Sequence, residues 1–339
     1  MTPIEPQVDN LIFDVSGMIY RTFHASKKAP VYRRRNFLDE GTPEQDADGG
    51  IGIAMHAALQ SMNKYTKQFR PRRVIACFDR PNNWRKLYMK SSAAISKLPY
   101  KGQRRQNQTP AQVKEFAELI DHMVQFEQML RDETGIITLA ADKLEADDCI
   151  AGFVQMFPTE RNIIMTNDSD MTQLTTEYTT VCNFTSGKLI ECEDPKYFLF
   201  EKAMRGDKSD NILNILPGIR STKLQKAWES PYDMANLMSE VVVHLGGPAT
   251  LLDDNTTASS PTTTPVLVGQ LLEENMLLMD LSKQPEVIKQ LMVDTITADL
   301  ARTRAYNFWK ISTFCTKHKL NRIVEDLKNF RPLFSGGYK

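Results

Sequence analysis

The sequence has few of the features that cross-link, export or anchor a protein. Its 339 residues include five cysteines, an odd and widely spaced set without a CxxC pair, which argues against a disulfide framework and a zinc site. No apolar run reaches the roughly 18 residues that a membrane helix needs. The segment Met1–Asn10 lacks the basic and apolar regions of a signal peptide. We therefore expect a monomeric protein of the cytoplasm without a membrane partner.

Histidine and net charge give little further information. The five histidines form no ligand pattern, and 42 basic residues balance 42 acidic residues. The distribution of charge is more informative, because Lys64 to Arg105 contains thirteen basic residues and one acidic residue, whereas Asp132 to Asp170 contains nine acidic and two basic residues. A metal-dependent nuclease needs such a basic surface beside an acidic cluster, although two separate solvated faces would produce the same pattern.

Short apolar runs alternate with helical patterns over the first two thirds of the chain. This alternation predicts an α/β fold with a central, mostly parallel sheet and helices on both faces. Helices are expected over Gly52–Phe69 and, after a Thr109 cap, from Pro110 to about Thr134. The candidate strands are Leu11–Val15, Arg73–Phe78, Ile136–Leu139, Asn162–Thr166 and Thr180–Asn183.

The change of pattern at Pro195 predicts two domains. We expect an α/β domain over residues 1–194 and a helical domain over residues 195–339, because the pattern after Pro195 is wholly helical. Residues 246–265 are rich in Thr, Ser, Pro and Asp, a composition typical of a mobile surface loop.

A long basic connection, residues 80–108, contains no convincing strand. It is interrupted by Pro81, Pro99 and Gly102, and connections of this length are usually functional or disordered.

Five short acidic motifs provide nine candidate metal ligands. Asp14, Asp79 and Asp168 end or closely follow predicted strands, and the ligand crevice of an open parallel sheet lies outside the carboxyl ends of its strands. Carboxylates about 4 Å apart repel by about 4 kcal/mol at an effective dielectric constant of about 20, so a convergent set needs bound cations or raised pKa values. Oxygen-only ligands point to hard cations, Mg²⁺ or Mn²⁺. The candidates are Asp14, Asp79, Glu145, Asp147, Asp148, Asp168, Asp170, Asp207 and Asp210.

The order of these motifs resembles that of the 5′ nuclease family. This family comprises the 5′→3′ exonuclease domain of bacterial DNA polymerase I, flap endonucleases and phage exonucleases, including T-even bacteriophage ribonuclease H. The motifs are LIFDVSGMIYR, ACFDRPNNWRK, LEADDCIAG, TNDSD and GDKSDN. The resemblance implies a PIN-like 5′-nuclease fold and a structure-specific exonuclease or flap endonuclease. Its substrates would be DNA and RNA–DNA hybrids with a 5′ flap or nick, during removal of RNA primers in phage DNA replication.

The resemblance also implies a two-metal mechanism with Mg²⁺, which Mn²⁺ would replace. The first ion would be held mainly by Asp14, Asp79, Glu145, Asp147 and Asp148. The second ion would be completed by Asp168, Asp170, Asp207 and Asp210.

The basic connection contains PYKGQRR, which resembles the family's Tyr-Lys-x-x-Arg motif at the base of a basic helical arch. The resemblance implies that Lys101 and Arg104 contact the scissile phosphate and act in catalysis with the acids. Cations on such a connection can stabilise developing phosphoryl charge and steer a single strand, although a solvated basic loop would look the same. Further DNA contacts are predicted for Tyr20, Arg85, Lys86, Lys90, Tyr100 and Arg105.

Residues 206–228 resemble the family's helix-three-turn-helix element. The resemblance implies contacts with the duplex backbone from Gly218, Ser221, Thr222 and Lys223, and a helix terminus of this composition can bind phosphate. Family members often hold K⁺ here, but the usual GIG turn reads GIR in this sequence and the preceding segment is longer. The K⁺ site is therefore left open. Candidate protein partners are a single-strand-binding protein and a sliding clamp.

Two other functions fit part of the pattern. A PIN-like ribonuclease shares the strand-end acids, but the basic connection and the helix-three-turn-helix element argue against it. A noncatalytic DNA-binding module could keep the fold, yet a scaffold without metals would gain stability by losing clustered like charges.

Overall fold

The computed structural model describes residues 7–28, 50–105, 108–245, 263–304 and 306–338. The chain divides into two compact units, which do not follow the expected boundary after residue 194. The basic connection belongs with the later part of the chain, and the C-terminal residues return to the first unit. Unit 1 comprises Met1–Pro81, Thr109–Glu191 and Lys289–Lys339, and unit 2 comprises Asn82–Gln108 and Cys192–Ile288.

Unit 1 is built on a six-stranded sheet with the order β3-β2-β1-β4-β5-β6. All neighbours are parallel except β5 and β6. The predicted mostly parallel α/β sheet is confirmed, and β6 was not expected because two residues carry no recognisable pattern. The strands are β1 Val8–Asp14, β2 Pro71–Cys77, β3 Ile137–Leu139, β4 Asn162–Thr166, β5 Thr179–Asn183 and β6 Leu189–Ile190.

The helices are numbered α1 to α13 in chain order. They are α1 Val15–Lys28, α2 Ile51–Phe69, α3 Trp84–Met89, α4 Pro110–Glu133, α5 Ala146–Met156, α6 Pro195–Arg205, α7 Ser221–Glu229, α8 Pro231–Ser239, α9 Val268–Met279, α10 Glu286–Leu300, α11 Phe308–Lys317, α12 Asn321–Glu325 and α13 Arg331–Phe334. Within the described ranges, no helix is long and apolar enough to cross a membrane.

Both faces of the sheet are covered. Leu11, Ile12 and Phe13 are consecutive in β1 and all fully buried, and side chains of a strand alternate between its faces. Leu11 and Phe13 belong to a core that α1, α2 and α4 share, whereas α5 packs on β1 and β2 outside that core.

The C-terminal helices complete the core of unit 1. Ile311, Cys315, Phe330 and Phe334 are fully buried and lie in the same cluster as Leu11. This burial explains why the C-terminal residues return to unit 1, which helical periodicity alone does not reveal.

Unit 2 contains a hairpin that the sequence pattern did not predict. Strands β7 Val241–Leu245 and β8 Thr263–Leu267 pair antiparallel, so the expectation of a wholly helical pattern after Pro195 is wrong here. Val242 and Val266 pack against the core of unit 2, which stabilises the pair through tertiary contacts. Most of the predicted mobile loop, residues 246–262, lies outside the described residues.

The two functional segments predicted in unit 2 are only partly helical. The helix predicted within residues 206–228 begins at Ser221, and residues 206–220 form turns that include a bridge between Asp207 and Ile212. Gly206 has a φ of +67°, and a Cβ there would lie 2.3 Å from the Leu213 carbonyl oxygen. The described part of the basic connection contains α3 and a 3₁₀ turn, Gly102–Arg105.

Gly135, just before β3, allows the C-terminal residues of unit 1 to approach its backbone closely. Its N–H donates to the Phe334 carbonyl at 2.6 Å, and a Cβ on Gly135 would lie 2.3 Å from the Ser335 carbonyl oxygen. We expect Gly135→Ala to lower the free energy of unfolding by about 1–3 kcal/mol, as overpacking does. Urea unfolding measures this effect. The control is Gly52→Ala, because a Cβ on Gly52 would meet its neighbour at 3.7 Å, and equal losses in both variants would contradict the prediction.

Candidate functional site

Asp14 ends β1 and is held by hydrogen bonds to both carboxylate oxygens. Its Oδ1 accepts from the Gly17 N–H at 2.8 Å, and its Oδ2 accepts from the Thr166 hydroxyl at 3.0 Å. Asp14 is 7% exposed. A Cβ on Gly17 would lie 2.2 Å from Asp14 Oδ2, so only glycine fits beside this carboxylate.

Thr166, at the end of β4, connects Asp14 to the next acidic loop. Its buried hydroxyl accepts a hydrogen bond from the Asp168 N–H at 3.0 Å. Asp168 caps the 3₁₀ turn Ser169–Leu174 by accepting from the Asp170 N–H at 2.9 Å. The Thr166 hydroxyl therefore connects Asp14, at the end of β1, to Asp168, just beyond the adjacent strand β4.

Asp79 lies just beyond β2 and connects the same site to α5. Its N–H donates to the Ser16 hydroxyl at 2.9 Å, and its Oδ1 accepts from the Ala146 N–H at 2.8 Å. Glu145 precedes this helix, and its N–H donates to Asp148 Oδ2 at 3.0 Å. The first turn of α5 therefore brings its acidic residues to Asp79.

The pKa values show that these carboxyl groups interact. Burial and then the charge of Asp79 raise the pKa of Asp14 to about 7, and Asp168 adds to the rise. Burial also raises the pKa of the Cys77 thiol, and the charges of Asp14, Asp147 and Asp79 raise it further. Acids from β1, β2, β4 and α5 therefore share one neighbourhood at the carboxyl edge of the sheet.

The donor set of this neighbourhood fits a hard cation. In the parts of the chain that the structure describes, no three His, Cys, Asp or Glu side chains form a preassembled metal cage. The proposed ligands are nevertheless all carboxylate oxygens. Burial and then the charge of Asp79 raise the pKa of Asp14, and a divalent cation would offset both effects on the ionised carboxylate.

Asp210 lies in unit 2 and is surrounded by the basic motif. Its carboxylate accepts from the Tyr100 hydroxyl at 2.9 Å and pairs with Arg104 Nη2 at 2.6 Å and Lys101 Nζ at 3.6 Å. The Lys101 N–H also donates to the Asp210 carbonyl at 2.8 Å. Two motifs that are far apart in sequence therefore form one cluster in unit 2.

Asp207 lies close to Asp210 in the sequence, but its carboxylate contacts Lys202 and the Ser209 N–H instead of the basic motif. It pairs with Lys202 at 3.2 Å, and its Oδ1 accepts from the Ser209 N–H at 2.7 Å. Burial tends to raise the pKa of Asp207, but hydrogen bonds from Ser209 and the charge of Lys202 lower it overall.

A family model described as "5'-3' exonuclease, N-terminal resolvase-like domain" matches residues 9–202. The chain belongs to this 5′-3′ exonuclease family. The resemblance that the acidic motifs indicated is thereby confirmed.

Two proteins illustrate how distant the relatives of this exonuclease-family chain are. The 5′-3′ exonuclease of Bacillus subtilis (strain 168) is 25% identical over 236 residues, which cover 65% of this chain and 68% of that protein. DNA polymerase I of Treponema pallidum (strain Nichols) is 26% identical over 223 residues, which cover 62% of this chain but 19% of the polymerase.

Solved structures of a bacteriophage T5 nuclease share the fold of this exonuclease-family chain. The T5 flap endonuclease in a complex with DNA and metal ions superposes with a TM-score of 0.55 at 16% identity, covering 87% of this chain and 100% of that one. The T5 protein crystallised with metal ions gives 0.56 at 15% identity, covering 86% and 99%. The predicted 5′-nuclease fold is confirmed.

The other residues predicted to contact DNA from the basic connection differ in exposure. Lys90 is exposed and Lys86 is half-buried. Arg85 is 3% exposed, its Nε donates to the Leu278 carbonyl at 2.7 Å, and its guanidinium stacks on Trp84. Its role in the described structure is thus packing within unit 2. The side chain of Arg105 lies outside the described part of the exonuclease-family chain.

Two further sets of predicted contacts lie elsewhere. Tyr20 in unit 1 is 37% exposed and packs edge-to-face on His24. In unit 2, Gly218 has a φ of +82° in the turn before α7, and Thr222 and Lys223 are exposed in the first turn of that helix. The Ser221 hydroxyl accepts from Arg205 Nη2 at 2.7 Å.

Local sequence patterns did not identify the residues that orient the acids. Ser16 and Gly17 lie two and three residues after Asp14, and Thr166 lies two residues before Asp168, so a small or hydroxyl residue near a strand-end acid was the available signal. Their roles became visible only through the hydrogen bonds that they form.

Asp14 should make the stability of the metal-free protein depend on pH. Its pKa rises from 3.8 to about 7 on folding, so its stabilising contribution is full below the lower value and is lost as the pH rises through the higher one. Asp14→Asn cannot ionise. With a chelator present, we expect the variant to gain stability relative to the wild type between about pH 4 and about pH 7, measured by urea unfolding. A difference independent of pH would contradict the raised pKa.

Proposed function

We propose that this chain is a structure-specific 5′→3′ exonuclease or flap endonuclease that hydrolyses phosphodiester bonds near 5′ ends with divalent cations. The observation that carries the proposal is the convergence of Asp14, Asp79 and Asp168 through Ser16, Thr166 and the first turn of α5. Membership of the 5′-3′ exonuclease family supports the reaction class.

The acids of unit 1 are the proposed cation ligands. Mg²⁺ is the proposed ion and Mn²⁺ its substitute, because both prefer oxygen ligands. When bound, two such ions supply a hydroxide nucleophile and stabilise the attacking and leaving oxygens. The proposed ligands of the first ion are Asp14, Asp79, Glu145, Asp147 and Asp148. The proposed ligands of the second ion in unit 1 are Asp168 and Asp170.

The chain's own contribution is to orient these carboxylates before a cation arrives. The Gly17 N–H and the Thr166 hydroxyl fix Asp14, while the Ala146 N–H fixes Asp79. Backbone and hydroxyl donors fix the direction of a carboxylate without adding a positive charge, as the partners of metal-binding carboxylates do.

The cations of the basic motif are the proposed contacts with the scissile phosphate. Lys101 and Arg104 both pair with Asp210, so a carboxylate already occupies the position of an anionic partner. Phosphate oxygens form charge-assisted hydrogen bonds of the same kind.

The first turn of α7 is the proposed contact with the duplex backbone. No side chain caps this N-terminus in the described structure, and Thr222 and Lys223 are exposed. Such a terminus attracts phosphate through its N–H groups and dipole. K⁺ is not required for this contact.

The biological role follows from the substrate class. We propose that the enzyme removes RNA primers and adjacent DNA from nicked or flapped strands during phage DNA replication, with a single-strand-binding protein or a sliding clamp as partner. The matches to a DNA polymerase I and to a phage flap endonuclease support this role.

The proposal is tested by cleavage of 5′-labelled flap, nicked and RNA–DNA hybrid substrates over a Mg²⁺ titration. We expect Asp168→Asn to lose more activity than the roughly 10–100-fold typical of residues around a metal, while DNA binding persists. Asp142→Asn, another exposed aspartate of unit 1, is the control and should cleave normally. Wild type that binds but cuts nothing would indicate a DNA-binding module, and cleavage of single-stranded RNA alone would indicate a PIN-like ribonuclease.

Lys101 should act on catalysis more than on binding. We expect Lys101→Ala to lower the single-turnover cleavage rate by roughly 100-fold, the scale for loss of one transition-state contact, with a small change in DNA affinity. Lys97→Ala is a matched control, since Lys97 lies in the same segment with a φ of 51° against 54° for Lys101. Equal single-turnover rates for Lys101→Ala and the wild type would remove Lys101 from the reaction.

A further inference from the structure

Glu127 on α4 is a buried carboxylate outside the acidic motifs. It is 3% exposed, its Oε1 accepts from Arg80 Nη2 at 2.7 Å, and its Oε2 lies 2.6 Å from Nη1 in an ion pair. Arg131, one turn later on α4, lies 3.0 Å from Oε1. One charge-assisted hydrogen bond and one close ion pair therefore hold the Arg80 guanidinium against α4.

Arg80 directly follows Asp79 and is held close to the acids of unit 1. Its N–H donates to the Leu144 carbonyl at 3.1 Å, immediately before Glu145. The backbone of Arg80 is thus fixed between Asp79 and Glu145, so its side chain begins beside two carboxylates of the proposed cation site.

An arginine in this position is a competitor for those carboxylates. A guanidinium and a divalent cation bind the same oxygen atoms, and arginine cannot lose its charge at any ordinary pH. If its partner were removed, a partly buried guanidinium would need another anion. The acids beside the Arg80 backbone are Asp79, its neighbour in sequence, and Glu145, which follows its hydrogen-bond partner Leu144.

We propose that Glu127 is a positioning residue that keeps Arg80 away from the acid cluster and so preserves the affinity of Asp79, Asp147 and Asp148 for divalent cations. This inference rests on the proposed cation binding of unit 1. It assigns to α4 a role in the site that no acidic motif indicates.

The proposal predicts an asymmetry between the two partners of one ion pair. Glu127→Gln should release Arg80 and weaken divalent-cation binding by about 10- to 100-fold, the range for residues that orient metal ligands. Arg80→Ala removes the competitor and should leave the affinity equal to or higher than that of the wild type. The double variant should return close to the wild type. A merely structural ion pair would instead weaken binding to a similar extent when broken from either side.

The measurement is isothermal titration calorimetry of the full chain with Ca²⁺, which reports binding without turnover. The titration is repeated with Mn²⁺. Glu133→Gln is the matched control, because Glu133 lies on the same helix and pairs with the exposed Lys310 at 2.9 Å. Thermal melting in chelator confirms that each variant is folded. If Glu127→Gln does not fold, the Arg80→Ala titration decides alone, and a tenfold loss of affinity overturns the proposal.

The titrations distinguish failure of the proposed function from failure of this inference. A wild type that binds neither ion overturns the proposed function and this inference together. A wild type that binds, with Glu127→Gln binding equally well, overturns the inference and leaves the proposed function standing. Weakening by Glu127→Gln that the added Arg80→Ala change does not reverse also overturns the inference.

Discussion

Repulsion among carboxylates held at one edge of a sheet is the constraint on which unit 1 depends. The parallel strands β1, β2 and β4 bring Asp14, Asp79 and Asp168 to the same edge, and burial together with Asp79 raises the pKa of Asp14 to about 7. Hydrogen bonds from two backbone N–H groups and the Thr166 hydroxyl hold Asp14 and Asp79 in position. A fold that preserves such unfavourable charge is suited to binding cations, and stability is lower until they bind.

The described hydrogen bonds and ion pairs of the acids differ between the two units. In unit 1 neutral donors orient Asp14 and Asp79, and the adjacent cation Arg80 is bound to Glu127. In unit 2, by contrast, Asp210 is paired directly with Lys101 and Arg104. Carboxylates oriented by neutral donors suit a cation site, whereas cations that share one carboxylate can exchange it for a phosphate. This difference is consistent with a metal function for unit 1 and a phosphate function for unit 2.

Local patterns predicted the regular elements well where the elements are stabilised by their own sequence. The five parallel strands lie within three residues of their expected ends, and α4 begins at the expected cap, with Thr109 accepting from the Gln112 N–H. The β7–β8 hairpin was missed because Val242 and Val266 are stabilised by packing against unit 2. Arg85 was predicted to bind phosphate because its neighbours are basic, but its guanidinium packs inside unit 2 against Trp84 and Leu278. Such burial depends on residues nearly two hundred positions away.

Motif order, β-branched runs and residue types are local properties of the chain, so they were enough to predict the family, the sheet and the chemical nature of the acids. The orientation of the acids and the ion pair of Arg80 depend on contacts between distant residues. Thr166 meets Asp14 across 152 positions and Glu127 meets Arg80 across 47. Such contacts are directional and depend on side chains from several elements meeting within hydrogen-bond distance, which no local pattern encodes.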